Sequence, residues 1–164
     1  MNGMNDLTEL MNHTYDLCED GEYNDAIEYF DAILKKDPNN VAILIDKGVT
    51  LENAGEYRGA VSCYEKAISI DSKNADAWAN KGTALHNLQE YGQAIQSYNE
   101  ALKIDRDSVV ALTGRGIAVG EMGNTEGALW HFNRAIEIDG EYDLATDSRR
   151  VALELLKKSQ EFSG

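Results

Sequence analysis

Residues 75–108 read ADAWANKGTALHNLQEYGQAIQSYNEALKIDRDS, and three further segments repeat their pattern: 7–40, 41–74 and 109–142. The register of 34 residues holds without a gap. One column is Ala26, Ala60, Ala94, Ala128; four residues on come Phe30, Tyr64, Tyr98, Phe132. A third column is Ile33, Ala67, Ala101, Ala135, followed at once by Leu34, Ile68, Leu102, Ile136, and a fourth is Asp37, Asp71, Asp105, Asp139. Ala60, Tyr64, Ala67 and Ile68 fall at i, i+4, i+7 and i+8, the apolar stripe of an amphipathic helix, which is the second helix of each unit. The first helix carries Leu44, Gly48 and Leu51, then Trp78, Gly82 and Leu85, again on one face.

Between the two helices lies a turn with Gly21, Gly55 or Gly123, replaced by Gln89 in the third unit; a left-handed backbone costs glycine least. Glu22-Tyr23, Glu56-Tyr57 and Glu90-Tyr91 follow, placing an acid at the positive end of the next helix. Gly48, Gly82 and Gly116 precede Ala60, Ala94 and Ala128 by twelve residues, so these small pairs are expected where helix backbones cross closely. One helix pair cannot bury its own apolar face, so the pairs must stack and the last needs a cover. A helix from about 143 to about 159 is expected to supply it through Leu144, Val151, Ala152 and Leu155, with Arg149, Arg150, Lys157 and Lys158 on the other face. Residues 1–6 form a short extension and 143–164 the capping helix and tail.

The pattern resembles the tetratricopeptide repeat family, with its Trp-x-x-Leu-Gly-x-x-Tyr, Ala-x-x-x-Phe and Ala-then-Pro spacing. The third unit matches best, through Trp78, Gly82, Leu85 in the tyrosine slot, Ala94, Tyr98 and Ala101. Lys47, Lys81 and Arg115 stand where the family has leucine, only Pro38 fills the proline slot, and the first unit has His13-Thr14 in place of Lys-Gly or Arg-Gly. The resemblance implies an all-α, right-handed α-solenoid, a superhelix of antiparallel helix pairs with about nine helices. It also implies a protein-interaction module or scaffold with a groove lined by the first helices.

In this register the groove columns are Thr8, Met11, Tyr15 and Cys18; Ala42, Ile45, Val49 and Glu52; Asp76, Ala79, Thr83 and His86; and Val110, Thr113, Ile117 and Gly120. Asn12, Asp46, Asn80 and Gly114 flank them. Such a surface, apolar at its centre and acidic at its rim, suits a partner segment with apolar anchors and basic residues. Ile45 and Val49 have two open roles, as anchor contacts or as packing between adjacent first helices. Some members of the family clamp the acidic carboxyl tails of chaperones with basic and amide groups. Transferred by position, that clamp needs such groups at Met11, Tyr15, Asp46, Asp76 and Asn80, and only Asn80 fits. Shifted by one repeat it falls on Ile45, Val49, Asn80, Val110 and Gly114 and fails again, so an acidic tail is not the expected partner.

Charge and composition narrow the other classes. Fifteen Lys and Arg against 29 Asp and Glu give a net charge of −14, which opposes nucleic acid and anionic membrane surfaces. The basic ladder of Lys47, Lys81 and Arg115 is read as stems covering helix surface with heads meeting nearby acids. His13, His86 and His131 lie in different repeats without a metal, nucleophile or phosphate-loop motif, so no catalytic, cofactor or metal residues are assigned and no enzyme activity is expected. Cys18 and Cys63 have no zinc-type spacing and are read as reduced thiols. The first residues lack the basic and apolar runs of a signal, and no stretch is apolar for the roughly 20 residues that span a bilayer, so the expectation is a cytoplasmic protein. The alternative function is self-assembly through the repeat ends and the carboxyl-terminal helix, as a weak homo-oligomer.

Overall fold

The computed structural model describes residues 2–161, with side chains from residue 7 onward. Among the described residues there are nine helices and no strand: α1 (Asn2–Glu19), α2 (Tyr23–Lys36), α3 (Val41–Asn53), α4 (Tyr57–Ile70), α5 (Ala75–Asn87), α6 (Tyr91–Ile104), α7 (Val109–Glu121), α8 (Thr125–Ile138) and α9 (Asp143–Glu161). The fold is an all-α helical repeat. It divides between Lys73 and Asn74 into two compact units, α1–α4 and α5–α9. The amino-terminal extension, as far as it is described, is the first turns of α1.

Local chemistry sets the helix ends. The side chains of Asn40, Asn74 and Ser108 accept the amide hydrogens of Ile43, Ala77 and Ala111, capping α3, α5 and α7. The aspartate column acts at the other end of each unit, where Oδ1 of Asp71, Asp105 and Asp139 accepts the N–H two residues on, at 3.0 Å each, closing the turn that leads out of the second helix. Gly21, Gly55 and Gly123 have φ of 78°, 80° and 90°, and Gln89 takes the same left-handed conformation at 62°.

Tertiary packing follows the columns. Ala26, Ala60, Ala94 and Ala128 are buried, as are Phe30, Tyr64, Tyr98 and Phe132. Removing a ring such as that of Phe30 from water contributes roughly 2–3 kcal/mol. The first-helix glycines serve these rings rather than the alanines. A Cβ on Gly48 would lie 2.7 Å from Tyr64 Cζ, on Gly82 2.6 Å from Tyr98 Cε1, and on Gly116 2.6 Å from Phe132 Cε1. Tyr64, Tyr98 and Phe132 thus each fill the place of the missing side chain on their own first helix, whereas Phe30 has Thr14 at that position.

The last helix departs from the expected cover. Ala145 and Ala152 are its buried residues, while Leu144, Val151 and Leu155 are 50%, 48% and 55% exposed. The 34-residue offset explains this: Ala145 and Ala152 continue the columns Ala77, Ala111 and Ala84, Ala118, all fully buried. Helix α9 is a fifth first helix, which turns small residues to its neighbour and large ones outward.

Candidate functional site

In the first unit the expected groove residues are tied to one another and to the core. Tyr15 Oη donates to Asp46 Oδ2 at 2.6 Å, joining α1 to α3. Burial, the bond to Asp46 and that carboxylate's charge push the Tyr15 phenol up to about 12. Tyr64 Oη donates to Glu52 Oε1 at 2.6 Å, so Glu52 turns inward to a buried ring and is not the free surface acid expected from its column. Burial raises its carboxyl above the usual range, against the opposing effect of the Tyr64 bond. Met11 packs on the core residues Phe30, Ile33 and Ile43, which makes it a structural residue as much as a contact. Ile45 is half-buried and Val49 is 40% exposed.

In the second unit, α5 and α7 enclose a pocket of about 350 Å³. Asn80, Thr83 and His86 form its polar wall and Val110, Ile117 and Leu144 its apolar wall. Tyr98 reaches the pocket from α6 because Gly114 leaves room: a Cβ there would lie 2.6 Å from Tyr98 Cε1. Tyr98 Oη then donates to Thr83 Oγ1 at 3.3 Å. His86 Nε2 is buried without a hydrogen-bond partner among the described residues. Burial holds the His86 imidazole below its ordinary pKa although Glu121 pulls the other way, so at neutral pH the ring is uncharged and offers one donor and one acceptor nitrogen. Asp76 is exposed on the same helix. Ala79 and Thr113, expected on the surface, are buried instead, because helix packing takes that column wherever its side chain is small.

A second pocket, of about 320 Å³, shares Ile117 with the first. Gly116 and Gly120 on α7 form its floor, Ala128 and Phe132 of α8 line it from one side, and Val151 and Leu155 of α9 from another. Glu121 and Asp147 stand in the same wall. Reading α9 as a cover hides Leu144, Val151 and Leu155 as site residues. A signal for them exists in the sequence, since Leu144 and Val151 lie one period beyond Val110 and Ile117.

Among the described residues no helix is long and apolar enough to cross a membrane, and no three His, Cys, Asp or Glu residues are grouped as metal ligands. Cys18 and Cys63 are free thiols; burial raises the pKa of Cys63 and keeps it protonated.

Sequence comparison matches residues 17–62 and 75–108 to "Tetratricopeptide repeat" and 53–89 to "TPR repeat", together more than half of the chain. No curated protein matches. Solved structures with a similar fold include the MamA protein, at 25% identity and TM-score 0.74 over 94% of this chain and 90% of that one. The first TPR domain of human RPAP3 matches at 25% identity and TM-score 0.71 over 76% and 98%. The first TPR of Spaghetti (RPAP3) bound to the HSP90 peptide SRMEEVD matches at 26% and 0.67 over 71% and 93%. The repeat columns, the helix pairs they build and these matches agree: the chain belongs to the tetratricopeptide repeat family.

Proposed function

We propose that this protein is an interaction module that holds a segment of a partner protein on the face shared by α5, α7 and α9. The observation that carries the reading is the exposed apolar row Val110, Leu144, Val151 and Leu155 beside two pockets that meet at Ile117. Large apolar side chains left this open, next to hollows of side-chain size, are where a partner's anchors gain most by leaving water. Glu121 and Asp147 on the rim, and the net charge of −14, favour lysine or arginine beside those anchors. Asn80, Thr83 and His86 give the first pocket hydrogen-bonding groups that fix orientation. In the first unit the Tyr15–Asp46 pair, Ile45 and Val49 present the same chemistry on α1 and α3, and we assign them the same role.

An RPAP3 domain of similar fold holds the acidic peptide SRMEEVD. This chain has Met11, Tyr15, Asp46 and Asp76 where such a peptide would require basic or amide groups, and its carboxylates would lose water without a partner. The proposed ligand therefore has the opposite charge.

Two peptide panels, two leucines with flanking lysines and two leucines with flanking glutamates, test this by fluorescence anisotropy. The basic panel should bind, and Val151→Ser/Leu155→Ser should weaken it tenfold or more, since losing two anchors costs about 2 kcal/mol or more. The thermal midpoint should stay put because both side chains are exposed. Equal affinity in the variant, or preference for the acidic panel, would refute the assignment. Self-assembly is a second reading, favoured by Leu153, 52% exposed on α9 between Arg149 and Lys157. A mass that does not change with concentration would remove it.

A further inference from the structure

The basic ladder loses its carboxylate column partner at Arg115. In the first unit Lys47 Nζ donates to Asp31 Oδ1 at 2.6 Å, with the lysine only 16% exposed. Two periods later the same columns hold Arg115 and Asn99, so the acid has become an amide. Arg115 Nε and Asn99 Oδ1 are both buried, and neither has a hydrogen-bond partner among the described residues. The Arg115 guanidinium charge also reaches His131, where after burial it is the second cause that holds the imidazole below its ordinary pKa.

These two residues line an open polar pocket of about 530 Å³ between α6 and α7, together with Gln96, Lys103 and Arg106. Glu100 is in the wall as well, bonded to Lys103 at 2.5 Å, and Asp107 beside Arg106 is taken by Arg134 at 3.0 Å. Three cations thus face one carboxylate, in a chain whose charge is otherwise strongly negative. We propose that this pocket binds a phosphoryl group, either free phosphate or the phosphate of a modified side chain. Arg115 and Arg106 offer planar forks of N–H donors, Lys103 adds a point charge, and the Gln96 and Asn99 amides can turn their N–H groups to remaining oxygens. The excess of two positive charges matches a phosphate dianion and exceeds what a single carboxylate balances. The distant acids that would repel an anion are screened beyond about 8 Å at physiological salt.

The test is a titration of the whole chain with inorganic phosphate at physiological ionic strength and slightly alkaline pH, followed by NMR of the arginine Nε–H and backbone amides, with acetate as the control. Phosphate should shift the Arg115 and Arg106 signals saturably, and acetate should act at least several-fold more weakly. Asn99→Asp restores the carboxylate of the ladder and should abolish the saturable shift while leaving the thermal midpoint unchanged or higher. Arg106→Gln, at an exposed position, should weaken binding several-fold in a folded protein. A phosphoserine peptide at least tenfold tighter than phosphate, with its unphosphorylated form inert, would assign the group to a modified side chain, and equal affinity would assign it to the free ion. An unsaturable response, an equal response to acetate, or an Asn99→Asp variant that binds like the parent would overturn the proposal.

Discussion

His131 lies beneath α7, its Cβ close to the backbone of Gly116 and its ring edge-on to Trp130 at 4.8 Å between centroids. Burial, aided by the charge of Arg115, lowers its pKa from 6.5 to about 4, so the folded chain holds the ring neutral where the unfolded chain protonates it. Between those two values the unfolded state binds more protons, and stability is lost as pH falls from about 6.5 towards about 4. Relative to His131→Gln, the parent should lose on the order of 1–2 kcal/mol across that window, a figure reduced for partial contact with solvent. Parallel urea titrations at several pH values measure it, and curves that run parallel would contradict it. No pattern in the chain marks His131 as buried, because the position carries Cys63 and Ser97 in other units, and only the packed neighbours impose the shift.

At the level of the element, the turn joining α5 to α6 is the weak one of its set. Gln89 adopts a φ of 62° that costs a side-chain-bearing residue about 1–2 kcal/mol, against roughly 0.5–1 kcal/mol of extra chain entropy that glycine gives up on folding. Gln89→Gly should therefore raise stability by about 0.5–1 kcal/mol, read as a higher denaturant midpoint with unchanged slope. A lower midpoint would mean that the Gln89 side chain supports the turn. The gap in the glycine column is legible in the chain itself, as one odd residue among four equivalent positions. Helix α9 is harder to read, because an amphipathic stripe shows that one face is apolar without showing which apolar residues turn inward. Ala145 and Ala152 go in since only small side chains allow α9 to approach α7 and α8 closely, and Leu144, Val151 and Leu155 are left outside.

For the molecule as a whole, 29 acids against 15 bases repel one another when held on a folded surface. The ion pairs that offset this are mostly exposed, such as Arg150 with Asp147 and Glu154, and each contributes little. Added sodium chloride should raise the thermal midpoint between low and physiological ionic strength, because screening weakens the repulsion more than it weakens these pairs. A midpoint that falls with salt would show that the pairs dominate.

The sequence by itself determined the helical repeat, since a fixed 34-residue spacing of alanine, aromatic and aspartate columns leaves few ways to bury an apolar stripe other than stacking like units. It also determined the sign of the charge proposed for the partner, because net charge needs no coordinates. Tertiary structure decided which residues of a face remain available. Glu52 was taken by Tyr64, Met11 by the core, and Ala79 and Thr113 by neighbouring helices, while Gly114 admitted Tyr98 and α9 brought a row of exposed leucine and valine. Periodicity assigns a residue to a side of a helix, but what it touches there depends on the size and chemistry of side chains distant in the sequence, and those meet only in the folded chain.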